Sequence, residues 1–165
     1  MKSVQMKLVT RFLTLIAFSA TALFYTGCGS DDGDQKSDEQ TQLEALSKTW
    51  TVTSVKLDDV DRTSDFENES MKLTISGAFA TGATYNYSLT GNRPEPSPWP
   101  ASGTWKFGSD VKSQMIRDPG SENLEMNYSI SGNTLTIDFE CTTCDFAGGK
   151  VSSVNGPWVF VFSGD

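Results

Sequence analysis

Cys141 and Cys144 enclose two threonines in "CTTC", the densest reactive spacing in the chain. Two thiols so placed can exchange electrons, hold a metal or close a bridge. Redox exchange wants the pair at a helix N-terminus, where the macrodipole lowers a thiol pKa. Here the motif ends the strand-like run "LTIDFEC". A zinc site wants a second ligand pair, and the chain has no histidine. Residues i and i+3 of a tight turn have Cα atoms less than about 7 Å apart, which suits a disulfide. A structural Cys141–Cys144 bridge at the strand-to-loop corner is the expectation, with redox chemistry as its alternative.

Carboxylates crowd "DDVDRTSDFENE" at Asp58, Asp59, Asp61, Asp65, Glu67 and Glu69. The spacing of Asp59, Asp61 and Asp65 suggests a calcium loop. However, Ser64 stands where that loop needs glycine, and Ser70 where it needs its bidentate acid. The expectation is a solvated loop, with no metal and no cofactor. Catalysis has few candidates. Without histidine no Ser-His-Asp or Cys-His arrangement can form. The acids sit in loops, and Glu125 and Asp138 alternate with apolar residues, so they face solvent. The chain reads as non-catalytic.

"RPEPSPWP" sets four prolines around Trp99. Proline removes donors and stiffens the backbone, so this is a rigid loop outside any ladder. Two readings of Trp99 stand side by side. It is a lid or plug at the rim of the fold, or an exposed platform for a sugar or apolar ligand. With Trp105, Tyr85 and Tyr87 it forms the candidate ligand-binding set.

The N-terminus says where such a site would work. Lys2, Lys7 and Arg11 precede the 13-residue, largely apolar run 12–24, too short for a membrane-spanning helix of roughly 20 residues. This is the plan of a secretory signal over residues 1–27. Thr26-Gly27-Cys28 follows and resembles the lipobox of bacterial lipoproteins. That resemblance implies cleavage before Cys28 and lipid on its sulfur. It also leaves Cys141 and Cys144 as the remaining pair in an oxidising compartment. Residues 28–42, "CGSDDGDQKSDEQTQ", hold no aliphatic or aromatic residue after the cysteine and read as an extended acidic tether. The acidic patch also resembles the surface-export signal of bacteroidete-type lipoproteins; a plain spacer is the alternative.

Of the 13 basic and 21 acidic residues, three bases and no acid lie in 1–27, so the rest carries ten against 21, net −11. That balance argues against nucleic acid and against docking on anionic headgroups. The membrane is reached through the N-terminal lipid, in the outer membrane, with periplasmic or outward orientation open.

Residues 43–165 must position any site, and they read as strands and turns. "TWTVTSVKL" places Trp50 and Val52 on one face and Val55 and Leu57 on the other, which implies a bulge near Thr53–Ser54. "MKLTI", "ATYNYSL" and "TWKFG" alternate; "SQMIR" does so weakly. In "NLEMNYSISGNTLTIDFEC" two alternating runs flank a Ser-Gly-Asn turn, the pattern of a hairpin. "PWVFVFSG" is apolar on both faces and central or barrel-closing. "LEALS" makes at most a short helical turn. About eight antiparallel strands with short connections make an all-β domain. A closed barrel and a two-sheet sandwich are the two architectures that manage this many edges.

"LEALSKTWTVTSVKLDD", "SGTWKFGSD", "SGNTLTIDF" and "GPWVFVFS" together resemble lipocalin-like domains of bacterial lipoproteins over most of 43–165. Lys48 stands in place of the family's glycine before the tryptophan, and the closing strand has no arginine. The resemblance implies an eight-stranded barrel with Trp50 plugging its closed end and a small apolar ligand inside. The alternatives are a glycan-binding or adhesion module, or an envelope protein without a ligand. Interior volume decides between them, because Trp50, Trp105, Met126, Phe139 and Trp158 all point inward and a barrel this size can be filled by side chains.

Overall fold

The computed structural model describes residues 35–67, 70–142, 144 and 154–165. The expected signal segment 1–27, Cys28 and tether residues 29–34 lie outside these. Lys36–Asp165 is one compact unit by itself. In chain order it contains α1 (Asp38–Leu46), β1 (Thr49–Leu57), β2 (Val60–Asp61), α2 (Ser64–Glu67), β3 (Lys72–Ser76) and β4 (Tyr85–Thr90). There follow β5 (Ser102–Phe107), β6 (Gln114–Arg117), β7 (Leu124–Ser131), β8 (Thr134–Cys141) and β9 (Gly156–Gly164).

Alternation decides which side of each strand meets the core. β4 buries Tyr85, Tyr87 and Leu89 and turns Asn86 and Thr90 outward. β8 does the same with Leu135, Ile137, Phe139 and Cys141. β7 and β8 join through Gly132, whose φ of 58° suits a residue without Cβ, and Ser131 pairs with Thr134 across the turn. Consecutive strands pair antiparallel from β3 to β9. β1 closes the ring: it pairs with β3 through Thr49–Thr51 and with β9 from Trp50↔Gly164 to Leu57↔Trp158. β2 only extends the free edge of β1 at Lys56 and Leu57. The result is a closed eight-stranded up-and-down antiparallel barrel, the first of the two architectures expected. A sandwich would leave β1 and β9 in separate layers, whereas here they share a ladder. The bulge is also present, as a register shift between Val52 and Ser54. Its effect is to turn Val55 inward beside Trp50 and Val52.

Two stretches hold more structure than the sequence reading allows. α1 takes in residues 38–42, which that reading assigns to the extended tether. Ser37 caps it by accepting from the Gln40 N–H, and Asp38 and Glu39 sit in the positive first turn. Leu43 and Leu46 then bury at its far end. The acidic run is likewise more than a solvated loop. Asp61 accepts from the Thr63 N–H and hydroxyl at 2.9 and 2.6 Å, Asp65 pairs with Arg62 at 2.6 Å, and Phe66 is fully buried. The carboxylates fold the turn around one aromatic anchor; among the described residues no cluster of metal-type ligands forms.

The two barrel ends differ. At the helix end α1 covers the opening, the Trp50 indole donates to Leu46 O at 2.9 Å, and the Lys48 ammonium lies 4.2 Å over that ring. At the other end, the loop end, Phe66 stands edge-on to Trp158 and Phe160 at 6.2 and 5.3 Å. Cys141 and Cys144 are joined there in a disulfide, with Cα atoms 5.6 Å apart, and both are buried.

Candidate functional site in the barrel lumen

All four residues of the candidate ligand set lie inside the barrel, and they come together in two layers. Tyr85 on β4 and Trp105 on β5 sit nearer the helix end, with ring centres 5.1 Å apart. The Tyr85 hydroxyl donates to Ala80 O at 3.2 Å. Tyr87, two residues along β4, sits nearer the loop end and meets the Trp99 ring edge-on at 5.7 Å.

Trp99 comes from the proline-rich connection between β4 and β5, and it is 2% exposed. Burial of this degree removes the exposed-platform reading and leaves the plug. The indole stands edge-to-face with Phe139 of β8 at 5.6 Å and with Phe160 of β9 at 5.9 Å. β4 and β8 are four strands apart in a ring of eight, so Trp99 reaches across the lumen rather than resting on its rim.

Arg117 is the member that sequence reasoning missed. It is the last residue of β6, and it points inward because Met115 does. Its guanidinium is fully buried, 4.9 Å from the Trp99 ring and 5.4 Å from that of Phe139. Glu122 grips it with contacts of 2.9 to 3.1 Å, and its Nη1 donates to Pro98 O at 3.0 Å. A paired, hydrogen-bonded charge of this kind tolerates burial. Beside it, Asp118 accepts from the Tyr87 hydroxyl at 2.9 Å and from the Thr104 N–H at 2.8 Å. Burial lifts the Tyr87 phenol well above its ordinary range, against the pull of Arg117 and with the help of Asp118.

Little open space remains. The void between Tyr87, Trp99, Trp105 and Arg117 leaves about 10 Å³ accessible to the centre of a water molecule. Trp50 and Trp158 donate their indole N–H groups to Leu46 O and Val154 O; those of Trp99 and Trp105 are buried with no hydrogen-bond partner. A larger concavity of about 740 Å³ runs along β6 to β9, where Glu125, Asp138 and Glu140 supply three carboxylates. Met115 and Met126 border both spaces, and Glu125 and Asp138 lie on the outward positions expected of them.

Comparison with protein-family models, with curated proteins and with solved structures finds no match to this chain.

Proposed function

We propose that this chain is an exported, lipid-anchored outer-membrane protein whose lipocalin-like barrel binds a small apolar molecule and catalyses nothing. The charged start, apolar run, Gly27-Cys28 and acidic stretch of the sequence support the anchor. One observation carries the binding reading: toward the loop end, the space between the strand residues Tyr87, Phe139 and Phe160 is taken by Trp99, a loop side chain. That is the space a barrel of this size offers to a ligand.

Expression in a Gram-negative host fed labelled palmitate tests the anchor. The chain should carry label and fractionate with the outer membrane, and Cys28→Ser should lose both; an unlabelled parent chain would sink the reading. Uptake of apolar fluorescent probes tests the lumen.

The tightness of the lumen favours a second reading, a filled scaffold that works through its outer surface. Under it no apolar probe binds, and glycan binding would be lost on changing Glu125, Asp138 or Glu140 in the outer groove. Trp99→Ala would not be the diagnostic change, because that ring is not at the surface.

A further inference from the structure

Toward the loop end, the strand side chains Tyr87, Arg117, Phe139 and Phe160 leave a ring-sized space between them. Trp99 occupies it, touching Tyr87, Phe139 and Phe160 edge-to-face at 5.6 to 5.9 Å, with Arg117 over its face. Edge-to-face neighbours and a cation together select for a flat ring with an electron-rich face. They make no use of the indole N–H, which is left without a partner. A buried donor in that state has lost its water without gaining a replacement bond. The pocket fits the ring of Trp99 better than it fits the whole side chain.

Among the described residues, the loop that delivers the ring is tied through Asn92, which donates to Asp65 O, through Pro98 O, which accepts from Arg117, and through Ser97, which sits in a β-bridge. The bonds from Arg93 to Trp99 O and from the Trp99 N–H to Ser97 Oγ are internal and would travel with the loop. Arg117 is paired with Glu122 at 2.9 Å and lies 3.7 Å from Asp118, so its charge is already met within the protein. The pocket therefore calls for an uncharged guest.

We propose that Trp99 is a built-in occupant of a ligand pocket, and that a flat, uncharged aromatic molecule of about indole size binds there by displacing it. This rests on the small-molecule reading above and names its ligand class and its gate.

Indole is the probe. The full chain, held in lipid nanodiscs and grown with 5-fluorotryptophan, is titrated with indole and followed by fluorine NMR, with empty nanodiscs as the partition baseline. The Trp99 resonance, identified by its loss in Trp99→Phe, should move to a solvent-exposed position while those of Trp50 and Trp158 hold. Trp99→Ala, whose pocket is open from the start, should bind indole about tenfold tighter or more, read on Trp105. A parent Trp99 resonance that stays put up to the solubility limit of indole overturns displacement, even if Trp99→Ala fails to fold. If Trp99→Ala nevertheless takes up indole, the small-molecule reading survives. A folded Trp99→Ala that takes up none overturns both.

Discussion

The Arg117 guanidinium lies 4.9 Å from the centre of the Trp99 ring while Glu122 grips its other edge. One buried cation thus joins the plug, the end of β6 and the β6–β7 turn. Arg117→Met would leave the Glu122 carboxylate, whose side chain is only 19% exposed, without its paired cation. Removing one partner of a buried pair typically costs about 3–5 kcal/mol, whereas replacing both is often neutral. Urea unfolding should show a loss of that order for Arg117→Met and recovery of most of it in Arg117→Met/Glu122→Gln. Equal losses in the two variants would mean that the pair is not coupled.

Gly103 is where β5 passes beneath Tyr87. A Cβ there would fall 2.2 Å from Asp118 Oδ1 and 2.6 Å from the Tyr87 hydroxyl. The Asp118 oxygen cannot yield freely, because the Thr104 N–H holds it at 2.8 Å. Gly103→Ala should therefore destabilise by about 1–3 kcal/mol, as overpacking does. Gly120→Ala tests a different effect: a Cβ there meets nothing within 4 Å, but φ is 91°, so only backbone strain acts. A Gly103→Ala midpoint within error of the parent would mean that β5 and β6 do not approach as described.

Burial raises the Tyr87 phenol above its ordinary range, and it raises Tyr128 likewise, with Asp110 adding to the effect. In the unfolded chain both titrate near pH ~10. A folded-state pKa above the unfolded one gives stability that is fully present below about pH 10 and is lost as pH rises further. Resistance to urea should fall above pH ~10, by up to about 1.4 kcal/mol per pH unit for each such group. Tyr87→Phe/Tyr128→Phe should flatten that fall. An unchanged slope in the double variant would place both phenols in water.

The strands were legible because each carries its own period-two record of which side meets the core. Tyr85, Tyr87 and Leu89 need no partner to be read as one face. The bulge was legible for the same reason, since the phase of that record breaks between Val52 and Val55. Arg117 escaped because an arginine at an inward position breaks the apolar alternation, and its partner Glu122 lies beyond a turn. Only its place two residues after Met115 hints at it. α1 carried a signal that passed unread: Ser37 and Gln40 have capping-box spacing, followed by Leu43 and Leu46 on one face. Phe66 was marked only by being the lone aromatic in an acidic run. Trp99 was ambiguous for a deeper reason. A loop residue has no periodic neighbours, so whether it plugs or presents is decided by Phe139 and Phe160, which are 40 or more residues away.

That distinction is also the most direct thing to measure. Trp50, Trp99, Trp105 and Trp158 are all no more than 2% exposed, so acrylamide should quench the full chain weakly and to the same slope in the parent and in Trp99→Phe. A readily quenched component in the parent that disappears in Trp99→Phe would put the indole outside the barrel and contradict the account of the lumen.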